Sequence, residues 1–224
     1  MNEKTAAMPA IIRAGRDWVV ASKPWGVLSE DGPDTPGMPA LLSILLKERG
    51  IPFEEVRTVH RLDRTTEGLM VYALTKKGAS ALSRSVTEGK LTKIYTAYLT
   101  PAPTLPESGE LRDRLFFDRR LDKSFVVPPD SDRRGAKDAV LRYRIADRIL
   151  WRDLTVAETR VELLTGRSHQ IRVQFASRQS PLLGDGKYGS RVNRKGPSLF
   201  STELSFPWEG RTEAFILAPT RPED

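Results

Sequence analysis

The sequence predicts an α+β fold: one domain around a mixed, largely antiparallel central sheet, with helices and loops flanking it. Strand-like segments outnumber helical ones, and several of them alternate with the period of two that a half-buried strand requires. Helical stripes occur between them, with capping and stop residues at their ends.

Taken in chain order, residues 18–23, WVVASK, read as a short buried strand entering the turn PWG. A helix follows, with Thr35 as its cap, Pro36 at its first position and Gly50 as its stop. Met38, Leu41, Leu42, Leu45 and Leu46 form its core stripe. Residues 56–62 read as a strand leading into Asp63, and 68–75, GLMVYALT, as a strand buried on both faces. A helix is expected from Lys76 to Val86. In KIYTAYL, 93–99, one strand face carries Lys93, Tyr95, Ala97 and Leu99 and the other Ile94, Thr96 and Tyr98. Residues 101–138 are rich in Pro, Asp and Arg and read as mobile loops with a short hairpin. AVLRYRI, 139–145, turns Arg142 and Arg144 outward from an apolar face. TRVELLT, 159–165, is a further strand; a helix is expected from Ser168 to Arg178; SLFSTELSF and TEAFILA close the sheet.

Composition narrows the chemistry. Among 224 residues, Lys plus Arg is 36 and Asp plus Glu is 29, a formal net charge of +7. Such a balance suggests a polyanionic partner, with nucleic acid ahead of an anionic membrane surface. There is no cysteine, which excludes disulfides, Cys-ligated zinc and thiolate catalysis. With only His60 and His169, a three-His metal site is impossible, and no metal is expected. No stretch is apolar enough to span a bilayer or serve as a signal-peptide core, so a cytoplasmic location is expected.

Three stretches carry candidate chemistry. In VHRLDRTTEG, 59–68, Asp63 sits between Arg61 and Arg64 with His60 just upstream. Neighbouring cations favour an ionised carboxylate, which could attack an electrophilic carbon or stabilise positive charge on a sugar ring. The same pattern also suits an Asp that pairs with Arg and caps a turn. In LLTGRSHQIRVQFAS, 163–177, Arg167 precedes Ser168, a candidate N-cap whose helix start could receive an anion. Arg167, Ile171, Gln174 and Arg178 would share one helical face; a solvated basic helix fits equally. Tyr95, two positions after Lys93, could move a proton or stack on a base, or simply be a half-buried strand residue.

Together and in this order, these stretches resemble the RluA-type RNA pseudouridine synthases. HRLDRTTEGLMVYALTK resembles that family's His-Arg-Leu-Asp-Arg signature, KIYTAYL its Lys-x-Tyr-x-Ala strand, and GRSHQIRVQFA its Gly-Arg-Thr-His-Gln-Ile-Arg segment. PLLGDGKYG and VVASKPWGVL resemble two further segments, so the likeness covers residues 17–218. It implies the pseudouridine synthase fold, with an RNA-binding cleft and isomerisation of uridine in ribosomal or transfer RNA, ribosomal preferred. It assigns Asp63 as the catalytic aspartate, Tyr95 as the active-site tyrosine and Arg167 as the aspartate's partner. Arg61 would help the target nucleotide leave its stack, and Ile171 would line the site. His60, Arg64, Lys93, Arg142 and Arg144 are further candidates for RNA contact. No cofactor is implied, because the base returns to the same sugar. Glu67 departs from the family's usual Ser, and Ser168 from its Thr. The expected organisation is an N-terminal tail, 1–16, a catalytic domain, 17–218, and a C-terminal tail, 219–224, with no separate S4-type domain, acting as a monomer. The alternative is a non-catalytic RNA-binding protein that retains the fold.

Overall fold

The computed structural model describes residues 8–101 and 105–222. Among them are eleven strands and three helices, so the expected predominance of strands holds. The chain forms two compact units, one running up to Lys93 and including Ser201–Pro219, the other comprising Ile94–Phe200 with the residues from Thr220 on.

In the first unit, strands β1 (Ala10–Ala14), β2 (Trp18–Lys23), β4 (Glu67–Ala73) and β10 (Leu199–Trp208) lie side by side in that order. The two-residue β3 (Arg57–Thr58) pairs with β4, and β11 (Arg211–Ile216) with β10. β1, β2, β3 and β4 pair antiparallel, as do β10 and β11. β2 and β4 have the expected positions; β1 adds a strand in the stretch read as a tail. The register pairs Val20 with Val71 and Trp18 with Ala73. Their apolar faces join Leu82, Leu204, Phe206 and Phe215 in one core. Trp18 meets Phe206 and Phe215 edge-on, at centroid distances of 5.3 and 5.8 Å. Each such large side chain contributes roughly 1.5–3 kcal/mol by leaving water.

Helix α1 (Met38–Glu48) buries Met38, Leu42 and Leu46, one residue per turn. It starts later than the Thr35–Pro36 signal suggested. Gly37 is its N-cap, and the Asp31 carboxylate accepts from the Gly37 and Ala40 N–H groups (2.7 and 3.3 Å), a cap supplied from outside the helix. Its end is as expected. Gly50, at φ +65°, donates to Lys47 O, and Ile51 donates to Leu46 O, closing the last turn. Helix α2 (Lys76–Thr87) is capped by Thr75, whose hydroxyl accepts from Gly78 N (3.0 Å) and donates to Asp17 (2.6 Å).

In the second unit the strand order is β5 (Thr92–Leu99), β9 (Leu154–Leu163), β8 (Lys137–Trp151), β6 (Ser108–Asp118) and β7 (Lys123–Val127), all antiparallel. β8 follows the expected alternation: Ala139, Leu141, Tyr143 and Ile145 are buried, Arg142 and Arg144 exposed. Two readings are corrected. β5 is buried on both faces from Ile94 onward, so Tyr95 is fully and not half buried. Most of the stretch read as mobile loops is the β6–β7 hairpin, whose strands pair from Arg114–Val127 to Asp118–Lys123; residues 102–104 of that stretch lie outside the described residues. Helix α3 (Gln170–Ala176) is shorter than expected and follows His169, which stands in the left-handed region at φ 53°.

Candidate active site

Asp63 lies in the short connection between β3 and β4, not at the end of a long strand, and its side chain is half-buried. Both of its peptide neighbours are fastened. On one side, Ser29 Oγ donates to Leu62 O (2.7 Å) and accepts from Leu62 N (3.0 Å). On the other, Gly26 N donates to Arg64 O (2.9 Å), and Arg64 Nε donates to Gly26 O (2.8 Å). Thr66 N closes the turn on Asp63 O at 2.9 Å. The carboxylate is thus presented from a backbone whose own rotation is restricted, the condition for a preorganised group.

Lys23 completes this seat. It is fully buried, and its ammonium donates to the carbonyls of Pro24, Val27 and Arg64 at 3.0, 2.8 and 3.2 Å. Burial pushes it down to about 8, against the negative charges of Glu67 and Asp63, which pull it up, while Arg64 lowers it. Glu67, the departure from the family pattern, therefore has an electrostatic effect on Lys23. Gly68 begins the buried part of β4 at φ +112°, and a Cβ there would run into the Ser201 backbone.

His60 does not fit the expected RNA contact. It is buried, and its Nε2 accepts from Val71 N at 3.1 Å, which leaves the ring proton on Nδ1. Burial, with the charge of Lys93, drives its pKa down to about 3, so the imidazole is neutral and ties the Asp63 connection to β4. Lys93 is half-buried, and burial lowers its pKa. Arg61 is exposed and lies 3.5 Å from Glu30, a surface pair weak enough to be exchanged for a phosphate.

Tyr95, Arg167, Ile171, Arg142 and Arg144 belong to the second unit. Tyr95 is buried on β5, opposite Val161 of β9. Arg167 is half-buried in the loop before α3. Its Nε donates to Asp138 O (2.8 Å), and its backbone N–H donates to Gln170 Oε1 (3.0 Å). Gln170 also accepts from Thr165 Oγ1 and donates to Val140 O, so one side-chain amide fastens the loop to β8. Ser168 is not the cap: its carbonyl accepts from Ser124 Oγ at 2.6 Å, and α3 is too short to offer an anion site. Ile171 is buried, and Arg178 pairs with Asp113 at 2.9 Å instead of presenting a basic face. Arg142 lies 3.2 Å from Glu110 on the exposed side of β8; Arg144 is exposed.

Behind this loop, Arg172 and Asp185 form a buried bidentate pair, both contacts 2.7 Å. Tyr188 OH accepts from Ser124 N (2.7 Å) and is hydrogen-bonded to His169 Nδ1 at 2.9 Å. The segments GRSHQIR and GDGKYG thus lock onto each other and onto the β7 strand. The same loop borders a groove of about 730 Å³, lined by Phe116, Phe117, Arg119, Arg120, Lys137 and Arg167 among others. Sequence reading missed all of these but Arg167.

Comparison with known proteins bears on the whole arrangement. The sequence profile described as RNA pseudouridylate synthase matches residues 17–177, which include Asp63, Tyr95 and Arg167. The chain belongs to this family. Among its relatives, the ribosomal large subunit pseudouridine synthase D of Xanthomonas campestris pv. campestris is 32% identical over 175 residues, 78% of this chain and 50% of that protein. The protein of the same name from Vibrio cholerae is 36% identical over 148 residues, 65% of this chain and 42% of the other. This chain spans about half the length of the curated relatives it matches. The solved structure of human RNA pseudouridylate synthase domain containing 4 superposes with a TM-score of 0.76 at 22% identity, covering 95% of this chain and 89% of the other. That of domain containing 1 gives 0.77 at 22%, with 97% and 86% covered. The pseudouridine synthase fold inferred from the RluA-type motifs is therefore the fold of this family member.

Proposed function

We propose that this protein isomerises uridine to pseudouridine in RNA, with ribosomal RNA preferred to transfer RNA, and that Asp63 is its catalytic carboxylate. The observation that carries the reading is the seat of Asp63: a half-buried carboxylate whose two peptide neighbours are both fastened, within the stretch matched by the family. An ionised carboxylate so held suits addition to, or electrostatic support of, the anomeric carbon while uracil is detached and turned. Arg167 would keep that carboxylate charged and aimed. Tyr95 would stack on the base and take the C5 proton once the carbon–carbon bond has formed. The uridine must leave its stack to reach such a group, and Arg61, with its weakly held side chain, would help ease it out. Arg64 and Lys93, and the outward Arg142 and Arg144 of β8, would contact the RNA. Base and sugar are rejoined without exchange of electrons or groups, so the proposal needs neither cofactor nor metal. Residues 17–218 would act as one catalytic domain, monomeric and cytoplasmic.

The names of the relatives support the preference for large-subunit ribosomal RNA. Among the described residues, no helix is long and apolar enough to cross a membrane. The test is tritium release from RNA labelled at uridine C5. Wild type should release it, and Asp63→Asn should lower the rate by about a thousandfold or more, the scale for losing a catalytic nucleophile or charge stabiliser. Equal rates for the two proteins would overturn the role of Asp63. A wild type that binds RNA without releasing tritium would make the protein a non-catalytic binder. Mapping pseudouridine in large-subunit RNA with and without the gene identifies the target.

A further inference from the structure

The groove beside Arg167 is not accounted for by chemistry at Asp63. Its rim is basic: Arg119 and Arg120 stand in the β6–β7 turn, Lys137 opens β8, and Arg167 borders the far side. The one acid in its lining, Asp118, is turned into the hairpin, where its Oδ1 accepts from the N–H groups of Arg120 and Leu121 at 2.9 and 3.2 Å. Among the described residues, no ion pair engages Arg119, Arg120 or Lys137. Several acids elsewhere on this unit are matched by cations: Glu110 by Arg112 and Arg142, Asp113 by Arg178, Asp122 by Lys187. The groove thus gathers cations that the protein itself does not neutralise.

The floor tells what kind of anion fits. Phe116 is covered by the Arg133 guanidinium, 3.7 Å from its ring centroid, and Phe117 meets the His169 ring edge-on at 5.9 Å. Arg133 covers one face of Phe116 and His169 packs against Phe117, so the two rings supply apolar walls to the groove. Cations along a rim above such walls suit a ribose-phosphate chain, not an isolated base.

We infer that this groove holds the RNA backbone through its phosphates, without reading sequence, and that Arg119, Arg120 and Lys137 are the contacting cations. The inference rests on the RNA reading above and adds a surface to it. It makes the β6–β7 hairpin an RNA-gripping element whose hold does not depend on base identity.

The experiment compares wild type, Arg119→Gln/Arg120→Gln and Lys137→Gln. RNA affinity is measured from about 50 to 300 mM salt, and steady-state isomerisation is measured alongside it. Each phosphate contact contributes about 0.7–0.9 to the slope of log K against log salt, so the double variant should flatten it by about 1.4–1.8 and Lys137→Gln by about half that. Affinity near 100 mM salt should fall about tenfold in the double variant, equally for target and unrelated RNA, and the loss in kcat/KM should fall on KM. An unchanged slope in both variants overturns the groove, whatever the activity shows. So does a loss confined to target sequences, which would mean base readout. If wild type is inactive but binds RNA with the stated slopes, the isomerase reading fails and the groove stands. Lys137→Gln lies outside the hairpin turn, so it keeps the test decisive if the double variant disturbs that turn.

Discussion

Lys23→Met should destabilise the protein, and by an amount that depends on pH in a set direction. The ammonium makes three hydrogen bonds, one buried and two partly buried. Bonds to a charged donor contribute about 1.5–3 kcal/mol each, so about 5–9 kcal/mol is lost when it is removed. Against this, the substitution relieves the cost of burying the charge. The fall from 10.5 to about 8 corresponds to about 3 kcal/mol. The net expectation at neutral pH is a loss of about 2–6 kcal/mol, read from urea unfolding. The pH dependence follows from linkage. The folded value lies below the unfolded one, so between about pH 8 and 10.5 the unfolded chain holds a proton that the folded chain has released. Stability from this group therefore rises with pH across that window, by about 2 kcal/mol between neutrality and about pH 9.5. The variant has no such rise, so the gap between the two proteins should widen. A variant as stable as wild type at neutral pH would refute the clasp. A gap that stays constant with pH would refute the buried cation.

Two further predictions follow the same logic. His60 has its folded pKa near 3, below the unfolded 6.5, so protonation favours the unfolded chain as pH falls below about 6.5. Wild type should lose about 2–3 kcal/mol more than His60→Gln between about pH 6.5 and 4.5 in the same unfolding assay; parallel curves would show that the imidazole is not held neutral. Arg172→Met strands the buried carboxylate of Asp185 and should cost about 3–5 kcal/mol, whereas Arg172→Met/Asp185→Leu should recover much of it. Equal losses in the single and double variants would show that the pair is not acting as a unit.

Legibility in the sequence depended on what each element buries. β2 and β4 were readable because nearly every residue in them is apolar, and the end of α1 because Gly50 supplies the left-handed turn. β6 was not readable. Its inward positions run Leu111, Asp113, Leu115, and the acid in the middle breaks the apolar period. The structure places that acid inward because Arg178 and Gln174 reach it from the segment after β9, at 2.9 and 2.7 Å, a pairing no local pattern reveals. Missing β6 meant missing Arg119, Arg120 and Lys137 as a group. The start of α3 was misplaced for a similar reason: His169 takes the left-handed conformation while bonded to Tyr188, nineteen residues on. At Asp63 the motif itself was legible. Its fastening was not, since Ser29 and Lys23 lie more than thirty residues upstream and carry only a weak local signal.

Gly68 has a consequence for how this chain could diversify. A methyl group at that position collides with the main chain of the neighbouring strand, so the carboxyl-terminal hinge of the Asp63 turn tolerates no side chain. Variation in the loop that carries Asp63 is thereby confined to positions ahead of residue 68.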